Sequence, residues 1–217
     1  LLPLAFAAAA AAVPRIGIDA GLSAAFYDAQ TQHFLVGSSG WLDLVGHRLG
    51  KSLVLALWLL ICAAAVASHW VPRLAAHRRL LWTLVLAMGA GPTLVTLLKD
   101  INSHACPWSL KAFGGSADYS AEWFVPSLEA GRCFPGGHAA GGFSLVALAF
   151  AGEAMNRPAL RRLGLWLGLG IGAAFSLLRI AQGAHFLSHN LWSAAIDLAS
   201  AALAFALLKP ASEGQAR

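Results

Sequence analysis

Three short groups of residues in this chain combine side chains that bind phosphate with side chains that transfer protons. They are Lys99-x6-Cys106-Pro107, Pro135-Gly136-Gly137-His138 and Arg179-x5-His185-x3-His189. Lys and Arg carry positive charge, and the Arg guanidinium holds phosphate oxygens with parallel N–H donors. A His side chain exchanges protons near neutral pH and can also attack as a nucleophile. Such a set of side chains suits phosphoryl transfer without a metal ion.

Each group has its own task in such a reaction. The Pro-Gly-Gly-His group stands just before an apolar run, where the N–H groups of a helix N-terminus form an anion site. Gly136 and Gly137 let the backbone approach a phosphate closely. His138 then stands over the anion, and we expect His185 to reach the same point. The cations neutralise the phosphate oxygens while one His attacks and the other protonates the departing oxygen.

The order and spacing of the three groups resemble the motifs of the type 2 phosphatidic acid phosphatase (PAP2) superfamily. That family shows Lys-x6-Arg-Pro, then Pro-Ser-Gly-His, then Ser-Arg-x5-His-x3-Asp. It includes bacterial phosphatidylglycerophosphate, undecaprenyl-diphosphate and lipid A phosphatases. The resemblance implies one domain over residues 1–217 with a motif-bearing core at residues 99–189. It also implies a lipid phosphatase that uses no metal or other cofactor and binds a phosphorylated membrane lipid.

The resemblance further implies a role for each motif residue. His138 would be the general acid, and His185 would be the nucleophile that forms a phosphohistidine. Phosphate binding would fall to two cations and to the backbone of two glycines, namely Lys99, Arg179, Gly136 and Gly137.

Three positions depart from the family motifs. Cys106 replaces an Arg, Gly136 replaces a Ser, and His189 replaces the Asp that orients the nucleophilic His. Such an Asp fixes the imidazole tautomer and stabilises positive charge on the ring. A neutral His189 can accept a hydrogen bond but brings no negative charge, so Asp100 is a second candidate for this orienting role.

Two of the three cysteines stand beside the motifs. Cys106 follows the Lys99 group, and Cys133 precedes the Pro-Gly-Gly-His group. In an oxidising periplasm they can pair, and the bridge would close a loop of about 28 residues, which the chain-entropy model values at roughly 3 kcal/mol. A disulfide and a pair of free thiols both stay open. Cys62 lies within an apolar run and is interpreted as a packing residue.

The composition indicates that these motifs sit in a membrane protein. The chain is 58% hydrophobic and 12% charged, with a mean hydropathy of +0.66, whereas soluble domains carry about 25% charged residues. Apolar runs occur at residues 4–13, 52–71, 80–98, 137–155, 163–178 and 187–208. The first run is interpreted as a truncated span rather than a signal h-region. We predict an all-α bundle of about six transmembrane helices, with an interfacial helical segment at residues 15–51.

The distribution of basic residues orients this bundle. The short loops at residues 72–79 and 153–162 are rich in Arg, which places them in the cytoplasm. Residues 15–51, 99–135 and 179–186 then share the opposite side. We therefore expect a bacterial inner-membrane protein whose site faces the periplasm. The net charge of +5 is scattered beside apolar runs, so anionic lipid rather than nucleic acid is the expected partner. The pattern indicates no oligomeric state.

Three other functions stay open at this point. A phosphotransferase of the same fold would pass the phosphate to another lipid. A zinc enzyme would use His185 and His189, one helical turn apart, although Phe186 stands where the metalloprotease pattern has Glu. A non-catalytic transport or assembly protein would keep the scaffold without turnover. Asp197 lies in the last span, where it is expected either to orient a histidine or to pair between helices.

Overall fold

The computed structural model describes residues 1–36 and 49–210 and is predominantly helical. Nine α-helices and one short hairpin occur in these two ranges. The elements are α1 (Leu2–Arg15), α2 (Ile18–Ala25), β1 (Tyr27–Asp28), β2 (His33–Phe34), α3 (Gly50–Ala67), α4 (Pro72–Ala75), α5 (Arg78–Lys99), α6 (Gly137–Phe143), α7 (Ala147–Ala154), α8 (Pro158–Ala181) and α9 (Leu187–Leu208). Three-residue 3₁₀ turns lie at Pro107–Ser109, Lys111–Phe113 and Ser144–Val146.

Four of these helices are long and apolar enough to cross a membrane. They are α3, α5, α8 and α9, and the bent pair of α1 and α2, which meet at 75°, adds a fifth if it is one broken span. The apolar run at residues 137–155, which was expected to be a further span, consists of α6, a 3₁₀ turn and α7, each of them short. The helices indicate a multi-pass membrane protein, and the count of six stays a prediction.

Glycines allow α8 to contact the backbone of the α6–α7 segment. Gly164, Gly168 and Gly172 recur every fourth residue and are buried on one face of α8. A Cβ on Gly168 would lie 2.6 Å from the Val146 nitrogen, and one on Gly142 would lie 2.7 Å from the Gly172 Cα. Small residues permit this close approach between membrane helices.

The segment expected to form interfacial helices is only partly helical. Helix α2 is followed by an antiparallel hairpin in which Tyr27 faces Phe34. The Asp28 carboxylate accepts a hydrogen bond from the Gln30 N–H, which favours a turn over a continued helix. Tyr27 and Phe34 both pack on Phe113, at 5.5 and 5.7 Å between ring centroids. The rest of the predicted interfacial segment, residues 37–48, lies outside the described residues.

Loop contacts bring the motif-bearing helix ends together. Lys99 ends α5, Gly137 begins α6, and Leu187 begins α9. Three hydrogen bonds across the loops connect these ends: Asn102 Nδ2 to Phe134 O, Trp108 N to Gly183 O and Gly136 N to His189 O. Residues far apart in sequence are thereby assembled at one end of the bundle.

Candidate active site

Asn102 connects the end of α5 to the segment before the Pro-Gly-Gly-His group. Its Nδ2 donates to Leu98 O at 2.6 Å and to Phe134 O at 2.8 Å, while its Oδ1 accepts the His104 N–H at 3.1 Å. The side chain is fully buried. The role of this residue was not predicted from the sequence, because an Asn in a polar loop carries no local signal of a contact 32 residues away.

Lys99 lies directly against the start of α6. Its Nζ is 3.4 Å from the point where a Cβ on Gly137 would sit, which places the cation in van der Waals range of the start of α6. The first intrahelical bond of α6 runs from Ala140 N to Gly136 O at 3.1 Å. The backbone N–H groups of Gly137 and His138 come before that bond in the chain, so the helix itself does not use them. They lie at the same end of α6 that the Lys99 side chain reaches.

Asn190 explains why Gly occupies position 136. A Cβ on Gly136 would overlap the Oδ1 atom of Asn190, whose side chain is 1% exposed and donates to Phe186 O. The Gly136 backbone is held on both sides, since its N–H donates to His189 O and its carbonyl accepts from Ser193 Oγ at 2.9 Å. A Ser at this position, as in the family motif, does not fit beside Asn190.

Arg179 positions the loop that carries His185. It lies in the last turn of α8, where its carbonyl accepts the N–H groups of Ala184 at 2.9 Å and His185 at 3.3 Å. Its Nη1 donates to Gln182 Oε1 at 2.8 Å, and its Cζ lies 5.6 Å from the centroid of the Trp108 ring. The side chain is therefore oriented by an amide and an aromatic face.

A carboxylate from α2 stabilises the start of α9, just after His185. Asp19 Oδ1 accepts the Ser188 N–H at 2.9 Å, and Oδ2 accepts the Ser188 hydroxyl. This contact satisfies an N–H group in the first turn of α9 in the manner of a helix cap. Asp19 is buried, and its role was not predicted from the sequence because 169 residues separate the partners.

Four of the predicted site residues act electrostatically on the His185 ring. His185 is 3% exposed, and burial lowers its pKa well below the usual 6.5. The positive charges of Lys99 and Arg179, together with those of His189 and His138, act in the same direction. Four groups from three motifs are thus close enough to influence one imidazole, which stays neutral at neutral pH and keeps a lone pair for attack.

The two expected orienting groups, His189 and Asp100, have their polar contacts elsewhere, and only the His189 ring packs edge-on against His185. The His189 ring makes its hydrogen bond to the backbone of Cys133, and its centroid is 6.0 Å from that of His185. The aromatic rings of Phe134 and Phe186, at 5.2 and 5.3 Å, hold it there. Asp100 Oδ1 instead faces Arg132 Nε at 3.5 Å, with both side chains more than half exposed. No hydrogen bond from either residue to His185 occurs among the described residues, so an orienting role for them stays a prediction.

Cys106 and Cys133 form a disulfide, and the bridge lies against His185. Cys133 Sγ is 3.4 Å from His185 Nδ1 and 2.9 Å from Ala184 O. The ligand atoms of these two cysteines and His185 lie within 4.8 Å of one another. Because sulfurs in a disulfide are not thiolates, this cluster does not fit a metal ion. Cys62 is a free thiol in α3.

A cavity of about 430 Å³ connects three motif residues, Lys99, Gly137 and His138, to the membrane spans, whereas Arg179 and His185 are not among its described lining residues. Its polar end is lined by Lys99, Gly137, His138 and Lys51, and the positive charge of Lys51 acts on Lys99. Its apolar wall comes from α3, α5 and α8, through Val54, Leu55, Trp58, Met88 and Phe175. Lys51 was not singled out from the sequence, since a Lys at the start of a span is usually an interfacial anchor.

Two other buried features lie apart from this cavity. A larger cavity of about 730 Å³ is lined by His104, Phe134 and His189, and its described lining contains no Lys or Arg, so it does not match an anion. Asp197 is fully buried where α5 meets α9, and a Cβ on Gly91 would overlap its carboxylate. Asp197 therefore packs between helices and does not orient a histidine of the motifs.

Comparison with known proteins agrees with the motif pattern. A family model described as the PAP2 superfamily matches residues 80–212, which is more than half of the chain and includes all three groups. No curated protein and no solved structure matches the chain. Members of the superfamily are generally phosphatases, so the match supports a phosphatase-type activity on phosphate esters. The chain belongs to the PAP2 superfamily.

Proposed function

We propose that this protein is a membrane phosphatase that hydrolyses a phosphate ester or diphosphate on a lipid through a phosphohistidine. The observation that carries the proposal is the buried, neutral His185 ring under the influence of Lys99, Arg179 and His138. A neutral imidazole supplies the nucleophile, and two cations supply the charge that a transferring phosphoryl group requires.

The reaction proceeds in two displacements. Lys99, Arg179 and the N–H groups at the start of α6 hold the phosphate oxygens. The His185 lone pair forms a bond to phosphorus as the bond to the lipid oxygen breaks, and His138 gives that oxygen a proton. Water then attacks the phosphohistidine while His138 takes a proton from it, and phosphate leaves from His185. The scheme requires no metal ion.

The shape of the 430 Å³ cavity supports a lipid substrate. Its polar end lies at Lys99 and His138, and its wall is formed by side chains of membrane spans such as Trp58 and Phe175. A phosphorylated headgroup fits the cationic end, and an acyl or prenyl chain fits the apolar wall. Lys51 provides a further cation for a headgroup that carries more than one anionic group.

The disulfide supports a site on the oxidising side of a membrane. Bridges such as Cys106–Cys133 persist in the periplasm and outside cells, whereas cytosolic thiols stay reduced. We accordingly propose the periplasmic face of a bacterial inner membrane. The basic residues at the starts of α5 and α8, Arg78, Arg79 and Arg161, then lie toward the cytoplasm.

Phosphate release by purified protein tests the proposal. The substrates are phosphatidylglycerophosphate, undecaprenyl diphosphate and lipid A, each with and without a lipid acceptor. His185→Ala is expected to abolish release, and His138→Ala to slow it by about 10²- to 10⁴-fold. His33→Ala, which alters an exposed His of the hairpin, serves as the control. Full activity in both motif variants would contradict the assignment. Phosphate transfer to the acceptor in place of release would identify a phosphotransferase.

A further inference from the structure

The side of the His185 ring away from the proposed attack is occupied by the disulfide. Cys133 Sγ lies 3.4 Å from His185 Nδ1, and both residues are buried, at 0% and 3% exposure. A disulfide sulfur has lone pairs but no hydrogen, so it can only accept in this contact. A hydrogen bond in this contact therefore requires the hydrogen on Nδ1, which leaves the Nε2 lone pair available for phosphorus.

Cys133 is itself held firmly in this position. It is bonded to Cys106, its sulfur packs on Ala184 O at 2.9 Å, and its backbone accepts the hydrogen bond of the His189 ring. His189 occupies the position where the family motif has Asp, and it fixes Cys133. Among the described residues, no hydrogen bond joins His189 to His185. The Cys133 sulfur is instead the atom that lies beside His185 Nδ1.

We infer that Cys133, held by its disulfide to Cys106, is the positioning residue for the nucleophile. Its Sγ accepts the His185 Nδ1–H and selects the tautomer that attacks through Nε2. As Nε2 bonds to phosphorus the ring becomes positive, the Nδ1 hydrogen stays on the ring, and the contact to sulfur strengthens. When water displaces the phosphoryl group, Nε2 recovers its electron pair. This inference rests on the proposed function, in which His185 attacks.

Three variants distinguish the effect of the acceptor atom at position 133 from the effect of the disulfide. Cys106→Ala opens the disulfide but leaves the Cys133 sulfur beside His185, since its new thiol hydrogen can point to Ala184 O at 2.9 Å. Cys106→Ala/Cys133→Ala removes the sulfur as well, and Cys106→Ala/Cys133→Ser returns an acceptor oxygen. All three lack the bridge, so any difference among them reports on the atom at position 133.

The kinetic expectation is a change in kcat rather than KM. Relative to Cys106→Ala, the double Ala variant should lose about tenfold in kcat, as for other partners that orient a reacting side chain, with KM within about twofold. The Ser variant should recover part of the loss. Equal kcat in all three variants would overturn the inference, and so would equal losses in the Ala and Ser variants.

The tautomer itself gives a readout that packing alone would not move. In ¹⁵N-histidine-labelled protein in detergent, with His185 assigned by difference from His185→Gln, the hydrogen is expected on Nδ1 in the unaltered protein and in Cys106→Ala. The double Ala variant should show a mixture of tautomers. Hydrogen on Nε2 in the unaltered protein overturns the inference, whatever the variants do. Loss of activity in His185→Ala with no effect at position 133 refutes only this inference, whereas activity in His185→Ala refutes the proposed function.

Discussion

Replacing Gly136 with Ser would restore the family motif, yet we expect it to impair this protein. The added Cβ overlaps Asn190 Oδ1 and lies 3.2 Å from Asn190 Cγ. The Asn190 side chain has little freedom to move away, since it is 1% exposed and its Nδ2 donates to Phe186 O at 3.2 Å. The substitution therefore forces a rearrangement of α9 side chains next to His189.

The contacts of Asn190 determine how much stability the Gly136→Ser substitution should cost. Rotation of Asn190 breaks one buried hydrogen bond, which costs about 1 kcal/mol, and overpacking adds about 1–3 kcal/mol. We expect Gly136→Ser to lower the free energy of unfolding by about 2–4 kcal/mol. Gly136 is also two residues before His138, and its N–H donates to His189 O. A shift of about 1 Å at a reacting side chain costs about 10²-fold in kcat.

A double-mutant cycle distinguishes overlap from a general intolerance at position 136. Asn190→Ala removes the obstructing side chain, so Gly136→Ser/Asn190→Ala should recover stability and phosphate release relative to Gly136→Ser alone. The expected coupling is about 1–3 kcal/mol in favour of the double variant. Unfolding and phosphate release are measured in the same detergent. A Gly136→Ser variant that behaves like the unaltered protein, or two substitutions whose effects add without coupling, would contradict an overlap with Asn190.

Two further predictions follow from charges at the site. Lys51→Ala should raise KM for a lipid phosphate about tenfold with little change in kcat, because Lys51 lines the cavity but is not a reacting group of the proposed mechanism. Lys111→Ala, which removes an exposed Lys paired with Asp118, is the control. Because the pKa of His185 is lowered in the folded protein, the unfolded chain binds a proton at this residue at a higher pH than the folded protein does. At pH values below 6.5, the free energy of unfolding should therefore decrease by up to about 1.4 kcal/mol for each pH unit of acidification. His185→Gln should reduce this slope, and His33→Gln should leave it unchanged. Equal KM in both Lys variants, or equal slopes in both His variants, would contradict these expectations.

The membrane-spanning helices were largely predictable because each is encoded locally. The apolar runs at residues 80–98 and 187–208 became α5 and α9 with boundaries that differ by at most two residues. The hairpin at Tyr27–Phe34 was missed, since its aromatic residues are spaced in a way that also fits an interfacial helix. A contact partner, Phe113, decides between the two, and that contact is invisible in a local pattern.

Motif residues could be placed at one end of the bundle from spacing alone, but the residues that support them could not. Asn102, Asn190 and Asp19 each act across a long separation, and each is a common polar residue without a motif of its own. Lys51 was missed for a different reason. Its position at the start of a span fits an interfacial anchor equally well, and only the cavity shows that it lies near Lys99.

Each departure from the family motif has a neighbour in space that makes it understandable. Asn190 fills the volume beside Gly136, so a Ser there would have no room. The missing Arg at position 106 leaves a cysteine whose bond to Cys133 places a hydrogen-bond acceptor on His185. That acceptor in turn removes the need for Asp at position 189, where a neutral His holds the Cys133 backbone instead. The replacements at positions 106 and 189 are therefore coupled through Cys133, and restoring either one alone should be less favourable than restoring both.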